Sequence, residues 1–211
     1  MAQGETLVSI PVDGVELEGE LIVPSGAEGL VVFAHGSGSS RHSPRNNFVA
    51  ETLRERGLGT LLFDLLTEAE DRDREARFDV DLLTERLLAV TDWLRGREAT
   101  VDLHVGYFGS STGAAGALLA AARREDVDAV VSRGGRVDMA AESLGDVTAA
   151  TLFVVGGDDA QVLEWNRESY EALDCEKDLY VVEGAGHLFE GPGQLEAVAN
   201  AAADWFAEHL G

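Results

Sequence analysis

The sequence is poor in cysteine, in lysine and in long apolar runs. Cys175 is the only cysteine among the 211 residues, so no intrachain disulfide is possible, and this fits a reducing compartment. The longest apolar runs, such as Leu30 to Ala34, are far shorter than the roughly 20 residues of a membrane-spanning helix. Met1 to Pro11 lacks the basic start and the apolar stretch of a signal peptide. These absences predict a soluble, cytoplasmic protein.

The chain also has few positive charges of any kind. Sixteen lysines and arginines face 39 aspartates and glutamates, so the formal net charge is −23. Such a charge argues against nucleic acid and anionic membrane surfaces as partners. Two interpretations stay open: adaptation to high salt, in which the charges are screened, or an ordinary acidic protein whose preference for arginine comes from base composition.

The order of the predicted elements indicates an α/β fold in one domain, residues 1–211. Thr6 to Ile10 and Val15 to Val23 predict an antiparallel hairpin, and strands alternate with helices after it. This alternation predicts a mostly parallel sheet with helices on both faces. Thr67 to Asp81 is predicted as a charged loop, and Ser132 to Ala150 is too short for a cap domain, so we expect a shallow, open pocket. The later strands are predicted at 30–34, 58–66, 101–107, 127–131, 151–155 and 179–182, and the helices at 44–57, 80–95, 114–124, 162–173 and 194–210.

A G-x-S-x-G pattern marks the candidate nucleophile. Gly109 to Gly113 places Ser111 in the central position, between the strand that starts at Val101 and an alanine-rich helix. The small residues around this serine allow the backbone of a sharp turn to pass close to its neighbours. The strand, the turn and the helix are the setting that a nucleophilic serine requires.

A serine nucleophile needs a base and a third group that orients the base. His187 is the candidate base, because it lies in a glycine-rich loop after the last predicted strand, whereas His35 is better placed to shape a backbone. The orienting acid is expected between Ser111 and His187 in the chain. Asp158 and Asp159 both follow a strand there, Asp138 is a third candidate, and the spacing does not choose between Asp158 and Asp159.

The oxyanion that forms during ester cleavage needs two N–H donors. The amide of Thr112, directly after the nucleophile, is one candidate, and the amide of Ser37 in the loop after Leu30 to Ala34 is the other. Arg41, Arg45 and Arg133 follow strands that should end at the same edge, and Arg41 and Arg133 are the candidate substrate-binding residues, because a guanidinium recognises carboxylates well. The alternative is that these arginines pair with local aspartates.

Taken together, these motifs resemble the α/β-hydrolase superfamily and its small dienelactone hydrolase-like branch. The resemblance runs from about Leu30 to Phe206. Relatives in this branch carry a Gly-Gly-x-Asp-x-x-Val pattern, which aligns with Gly156 to Val162 and implies that Asp159 is the acid. Dienelactone hydrolases proper have a cysteine nucleophile, whereas this chain has Ser111, which favours ester chemistry over dienelactone specificity.

The expected function is that of a serine hydrolase that cleaves carboxylic esters with short or compact acyl groups through an acyl-enzyme. Its catalytic residues are Ser111, Asp159 and His187, its partner is a small-molecule ester, and no metal or organic cofactor is implied. A lactone or dienelactone hydrolase that uses the same residues is the alternative, and a ligand-binding homologue without activity is a third possibility. The oligomeric state stays open.

Overall fold

The computed structural model describes residues 6–211. The expectation that Met1 to Pro11 is not a signal peptide therefore falls partly outside the described residues. The strands are β1 (Thr6–Val12), β2 (Val15–Ile22), β3 (Gly29–Ala34), β4 (Gly59–Phe63), β5 (His104–Ser110), β6 (Ala129–Arg133), β7 (Ala150–Gly156) and β8 (Lys177–Val182). The helices are α1 (Pro44–Glu55), α2 (Glu68–Asp71), α3 (Arg74–Phe78), α4 (Val80–Arg95), α5 (Thr112–Ala121), α6 (Ala160–Ala172) and α7 (Gln194–His209), with a 3-10 helix at Val137–Asp146.

The eight strands form one sheet in the order β1-β2-β4-β3-β5-β6-β7-β8. Strands β3 to β8 are parallel to one another, whereas β2 pairs antiparallel with both β1 and β4. All the parallel strands therefore end at one edge of the sheet, and the loops that follow them meet there.

The predicted hairpin is confirmed and is longer than expected. The β1 strand extends to Val12, and the connection consists of Asp13 and Gly14, whose φ angles are 47° and 83°. Positive φ at both central residues is typical of the two-residue turn whose twist matches that of an antiparallel hairpin.

The sheet has an apolar core on each face. Side chains of α4, α5 and the 3-10 helix pack on one face, and side chains of α1 and α7 pack on the other. Strands β3, β4 and β7 are buried at every position, because both of their faces are covered. The prediction of a mostly parallel sheet with helices on both faces and no cap domain is confirmed. Within residues 6–211, no helix combines the length and the apolarity needed to cross a bilayer.

The structure differs from the predicted elements before β5. The strand begins at His104, not at Val101, because the amides of Val101 and Leu103 bond to the carbonyls of Arg97 and Thr100 in successive turns. The guanidinium of Arg95 then donates to the carbonyls of Val101 and Leu103, at 3.2 and 2.7 Å. The apolar alternation of Val101 and Leu103 therefore belongs to a turn that Arg95 holds in place, and not to a strand.

The charged segment from Thr67 to Asp81, which the sequence predicts as a loop, contains the short helices α2 and α3. A capping box starts α2: the Thr67 hydroxyl accepts from the Glu70 amide, and the Glu70 carboxylate accepts from the Thr67 amide. The Asp73 carboxylate accepts from the Glu75 amide at the start of α3. Local capping by acidic side chains stabilises helices that are too short to show an apolar periodicity.

Candidate active site

Loops at the carboxyl ends of the parallel strands surround a cleft of about 460 Å³. The residues that line it come from the loop after β3, the start of α1, the turn after β5, the end of β6 and the loop after β8. They are Gly36, Ser37, Gly38, Ser39, Ser40, His42, Ser43, Pro44, Arg45, Ser110, Ser111, Arg133, His187 and Leu188. The lining is rich in hydroxyls and positive charge and poor in apolar side chains.

Ser111 forms the turn between β5 and α5. Its φ of 51° and ψ of −122° lie outside the regions that a serine normally occupies, and such a conformation costs about 1–3 kcal/mol. Backbone hydrogen bonds hold it there: the Ser111 amide donates to Arg133 O at 3.3 Å, and the Arg136 amide donates to Ser111 O at 3.0 Å. The strained turn places the serine on the wall of the cleft.

Glycines on both sides of Ser111 are required by close packing. A Cβ at Gly109 would collide with the backbone of Ala114, and a Cβ at Gly113 would collide with the carbonyl oxygens of Ala34 and His35. The glycines of the motif therefore let α5 start directly against β3 and β5.

His187 lies across the cleft and is bonded to Asp159. Its Nδ1 is 2.7 Å from Asp159 Oδ2, and the histidine side chain is 42% exposed while that of the aspartate is 17% exposed. An acceptor at Nδ1 holds the proton on that nitrogen, so Nε2 is left to act as a base. No hydrogen bond joins Ser111 to His187 in the part of the chain that the structure describes, and such contacts often tighten only when substrate binds.

The structure also separates the three candidate acids. The Asp158 amide donates to Ala185 O at 2.9 Å, which ties the loop after β7 to the loop of His187, and the Asp158 side chain is exposed. The Asp138 carboxylate is occupied by the guanidinium of Arg136 at 2.9 and 3.0 Å. Of the three, Asp159 is the one that bonds to His187.

His35, in contrast, is buried and bonded to the backbone on both sides of its ring. The Leu65 amide donates to Nε2 at 3.0 Å, and Nδ1 donates to Gly36 O at 3.0 Å. This pattern requires the neutral ring, and burial accordingly lowers the pKa of His35 from its ordinary value of 6.5. His35 joins the loop after β3 to the end of β4.

The two candidate oxyanion donors lie side by side, but one of them already has an acceptor. Thr112 is the first residue of α5, so its amide has no acceptor within the helix. The Ser37 amide donates to the Thr112 hydroxyl at 3.0 Å. The Thr112 side chain thus holds the loop after β3 against the turn of Ser111, a role that the sequence pattern did not indicate.

The expectation that Arg41 faces the site is wrong. Its guanidinium pairs with Asp64, and its Nη2 also lies 2.7 Å from Glu18 Oε2, in a neighbouring groove beside the hairpin. Two carboxylates hold the side chain there, as the alternative of local pairing had anticipated. Arg133 and Arg45 do line the cleft, although Arg45 was not among the two arginines named as candidates for substrate binding.

In residues 6–211, no group of three or more histidine, cysteine, aspartate and glutamate side chains is arranged to hold a metal ion. Asp159 and His187 form a pair, which is fewer ligands than a protein zinc site uses.

A sheet of this order, a serine on a strained strand-to-helix turn and an Asp-His pair on later loops define the α/β-hydrolase class. The dienelactone hydrolase family model matches residues 23–210. A dienelactone hydrolase from Anabaena variabilis is 52% identical, with 99% of each chain covered and a TM-score of 0.97. The chain belongs to the dienelactone hydrolase family and is a hydrolase.

Two further comparisons extend this picture. The chain is 55% identical over 204 residues to a Mycobacterium tuberculosis protein described as "Putative phosphoribosyl transferase"; the match covers 96% of this chain and 46% of that one. The chain thus spans about half the length of the curated relatives that it matches. Est1E from Butyrivibrio proteoclasticus is 19% identical, with 96% of this chain and 98% of the other covered and a TM-score of 0.81, and it shares the fold.

Proposed function

We propose that this hydrolase is a serine esterase that acts on small carboxylic esters. Ser111 would attack the ester carbonyl, and His187 would accept the serine proton at Nε2 and then donate it to the leaving alcohol. A water activated by the same histidine would release the acid from the acyl-enzyme. Asp159 would hold the imidazole in the required orientation and stabilise its charged form.

The observation that carries the proposal is the combination of a strained Ser111 with a 2.7 Å Asp159–His187 bond on the same cleft. Strained backbone at a non-glycine residue is typical of functional sites, and a nucleophile gains from a turn that exposes its hydroxyl. The His187 ring, oriented through Nδ1, supplies the base.

Two amides would stabilise the tetrahedral oxyanion. The Thr112 amide points from the first turn of α5, where the helix dipole also favours negative charge. The Ser37 amide would turn from the Thr112 hydroxyl toward the oxyanion, or share its hydrogen between the two acceptors, as the negative charge develops.

The lining of the cleft favours compact acyl groups. Leu188 is the one large apolar side chain among the lining residues, so a long alkyl chain gains little from binding there. We expect kcat/KM to be higher for acetate and butyrate esters than for esters of twelve or more carbons, measured with one common alcohol. A preference for the long chains would contradict this substrate class.

A lactone hydrolase is the second candidate, and membership of the dienelactone hydrolase family favours it. The same residues would open a cyclic ester, with the leaving alkoxide kept on the acyl group. Simple lactones and open-chain esters of equal size, assayed side by side, distinguish the two.

Labelling with a fluorophosphonate tests the proposed chemistry directly, because the reagent forms an adduct only with an activated serine. We expect one adduct, located by mass spectrometry at Ser111 and lost in Ser111→Ala. The neighbouring buried serine provides the matched control: Ser110→Ala should still be labelled. The absence of any adduct in the folded wild-type protein would favour a ligand-binding protein without activity.

We also propose that a small molecule is the only partner of this site. The acidic surface disfavours nucleic acid and anionic membranes, and a reducing location such as the cytoplasm is consistent with the single Cys175. For this chain, which matches 46% of the length of the Mycobacterium tuberculosis relative, we propose ester hydrolysis and not phosphoribosyl transfer, because Ser111 and His187 line its cleft and Asp159 bonds to His187.

A further inference from the structure

Just over half of the 15 arginines of this acidic chain pair with a carboxylate. Among residues 6–211, eight arginines lie within 4.0 Å of an aspartate or glutamate oxygen: Arg41, Arg56, Arg72, Arg86, Arg95, Arg123, Arg124 and Arg136. The other seven arginines of residues 6–211 have no such partner, although 39 acidic residues are available. Two of these seven, Arg45 and Arg133, lie in the candidate active site.

Arg133 is the last residue of β6 and lines the cleft beside Ser111. In the described part of the chain, its guanidinium has no carboxylate within 4.0 Å, and its Nη1 is inaccessible to solvent and has no hydrogen-bond partner. A guanidinium nitrogen that has lost water without gaining an acceptor is costly, and an anion that binds there offsets the cost.

Arg45 is the second unpaired arginine of the cleft. It lies in the first turn of α1, and no ion pair or side-chain hydrogen bond to it is found within residues 6–211. Burial and the positive charge of Arg45 together lower the pKa of Arg133 to about 10. The two cations therefore repel each other across a space that contains no compensating carboxylate.

The backbone adds further positive potential to the same space. Ser43 caps α1 with its side chain, and Ser43, Pro44 and Arg45 all line the cleft, so the amino end of this 12-residue helix faces it. The amino end of α5 also borders the cleft, at Ser111. Two helix dipoles and two guanidinium groups thus converge on one cleft of a protein with a net charge of −23.

We infer that Arg133 and Arg45 form a binding site for an anionic oxygen group, a carboxylate or a phosphate, on the substrate of Ser111. This inference rests on the proposed esterase activity and adds the class of ester. Arg133 pairs in register with Ser110, the residue before the nucleophile, so its backbone is one strand away. The anionic group must then lie only a few bonds from the ester carbonyl.

Three methyl esters that differ only at the far end test this specificity: monomethyl succinate, methyl 3-phosphonopropionate and methyl levulinate. The first two end in a carboxylate and a phosphonate, and the third ends in a neutral methyl ketone of similar shape. We expect kcat/KM of the wild-type protein to be at least tenfold higher for one or both anionic esters than for the ketone. The better of the two anions identifies the group that the site prefers.

Variants then connect the preference to the two arginines. In Arg133→Met, the ratio of kcat/KM for the anionic ester to that for methyl levulinate should fall by about 10- to 100-fold, as the loss of a charge-assisted hydrogen bond implies. Arg45→Gln should reduce the ratio by a smaller factor. Arg56→Gln is the matched control: it removes the same charge from the carboxyl end of α1, where Arg56 pairs with Asp204, and should leave the ratio unchanged.

A binding measurement separates this inference from the esterase proposal. Ser111→Ala cannot turn over substrate, so calorimetry with monomethyl succinate and with methyl 3-phosphonopropionate reports binding alone. We expect at least tenfold tighter binding for one of them than for methyl levulinate, and loss of that difference in Ser111→Ala/Arg133→Met. If the neutral ester binds as well as both anions, or if Arg133→Met has no effect, the anion site is wrong even when esters are hydrolysed. If binding is selective but no ester is cleaved, the anion site holds and the esterase proposal fails.

Discussion

His35 and His187 both lie in glycine-containing loops at the same edge of the sheet, one after β3 and the other after β8. His35 is buried, and both of its ring nitrogens bond to backbone groups. His187 is 42% exposed, with one nitrogen on Asp159 and the other free to act in the cleft. Similar sequence surroundings thus lead to opposite roles, because burial and hydrogen-bond partners decide whether a ring nitrogen is available for proton transfer.

The largest effect on activity is expected when the histidine ring that faces the cleft is removed. His187→Ala should reduce kcat for a compact ester by a factor on the order of 10⁶, as loss of the base does in serine proteases, while the melting temperature changes little. Steady-state kinetics and thermal unfolding on the same sample check both parts. A variant that retains more than a few per cent of wild-type kcat would show that another group is the base.

The second-largest effect on kcat is expected at Asp159, the partner of His187. Asp159→Asn should lower kcat by about 10⁴, because an amide no longer fixes the tautomer of the ring. Asp158→Asn is the matched control, and its kcat should stay within about twofold of wild type, since its side chain is exposed and its backbone makes the loop contact. Equal losses in the two variants would contradict the assignment of Asp159 as the orienting acid.

Removal of the Thr112 hydroxyl tests the loop of His35. In Thr112→Val the half-buried Ser37 amide loses its acceptor, and we expect kcat to fall by about tenfold as the loop moves away from Ser111. Thr112→Ser retains the hydroxyl and should restore most of the rate. A Thr112→Val variant with wild-type kcat would mean that the Ser37–Thr112 bond does not position the oxyanion donor.

The smallest expected effect concerns stability. His35→Gln should cost about 1–3 kcal/mol of unfolding free energy, because the Leu65 amide and Gly36 carbonyl lose their partners. The wild type should also lose stability as the pH falls below about 6.5, since the unfolded chain then binds a proton that the folded His35, with its lowered pKa, does not.

Urea titrations from pH 7.5 to 5.0 measure this dependence. The slope of unfolding free energy against pH is measured for wild type and for His35→Gln. The difference between the two slopes is the contribution of His35. His42→Gln, which makes the same substitution at an exposed histidine, is the matched control. Parallel curves for wild type and His35→Gln would exclude a titration of His35 in this range.

The sequence was sufficient to predict the sheet and the helices of more than about ten residues, because their apolar periodicity and glycine boundaries are strong. It did not reveal helices α2 and α3, whose stability depends on caps at Thr67 and Asp73. The prediction that β5 starts at Val101 is wrong, because the guanidinium of Arg95, at the end of α4, holds the residues before His104 in a turn.

The same division holds for the candidate site. Ser111, His187 and Asp159 occupy positions that motifs and a family resemblance specify, and the structure places Ser111 and His187 on one cleft with Asp159 bonded to His187. The side-chain directions of Arg41, Arg45 and Arg133 depend on distant carboxylates or on their absence, which local sequence does not encode. Glu18 of the hairpin and Asp64 after β4 draw Arg41 out of the cleft.

The ion cluster of Glu18, Arg41 and Asp64 connects the hairpin to the loop that lines the cleft. Arg41 lies between Ser40 and His42, in the segment that lines the cleft with Ser39, Ser40 and His42. Its backbone amide also donates to Asp64 at 2.8 Å. A minimal catalytic unit cut to begin at β3 would lose Glu18 and the strand that covers β4. Efforts to transplant this cleft onto a smaller scaffold therefore need to carry the hairpin with it.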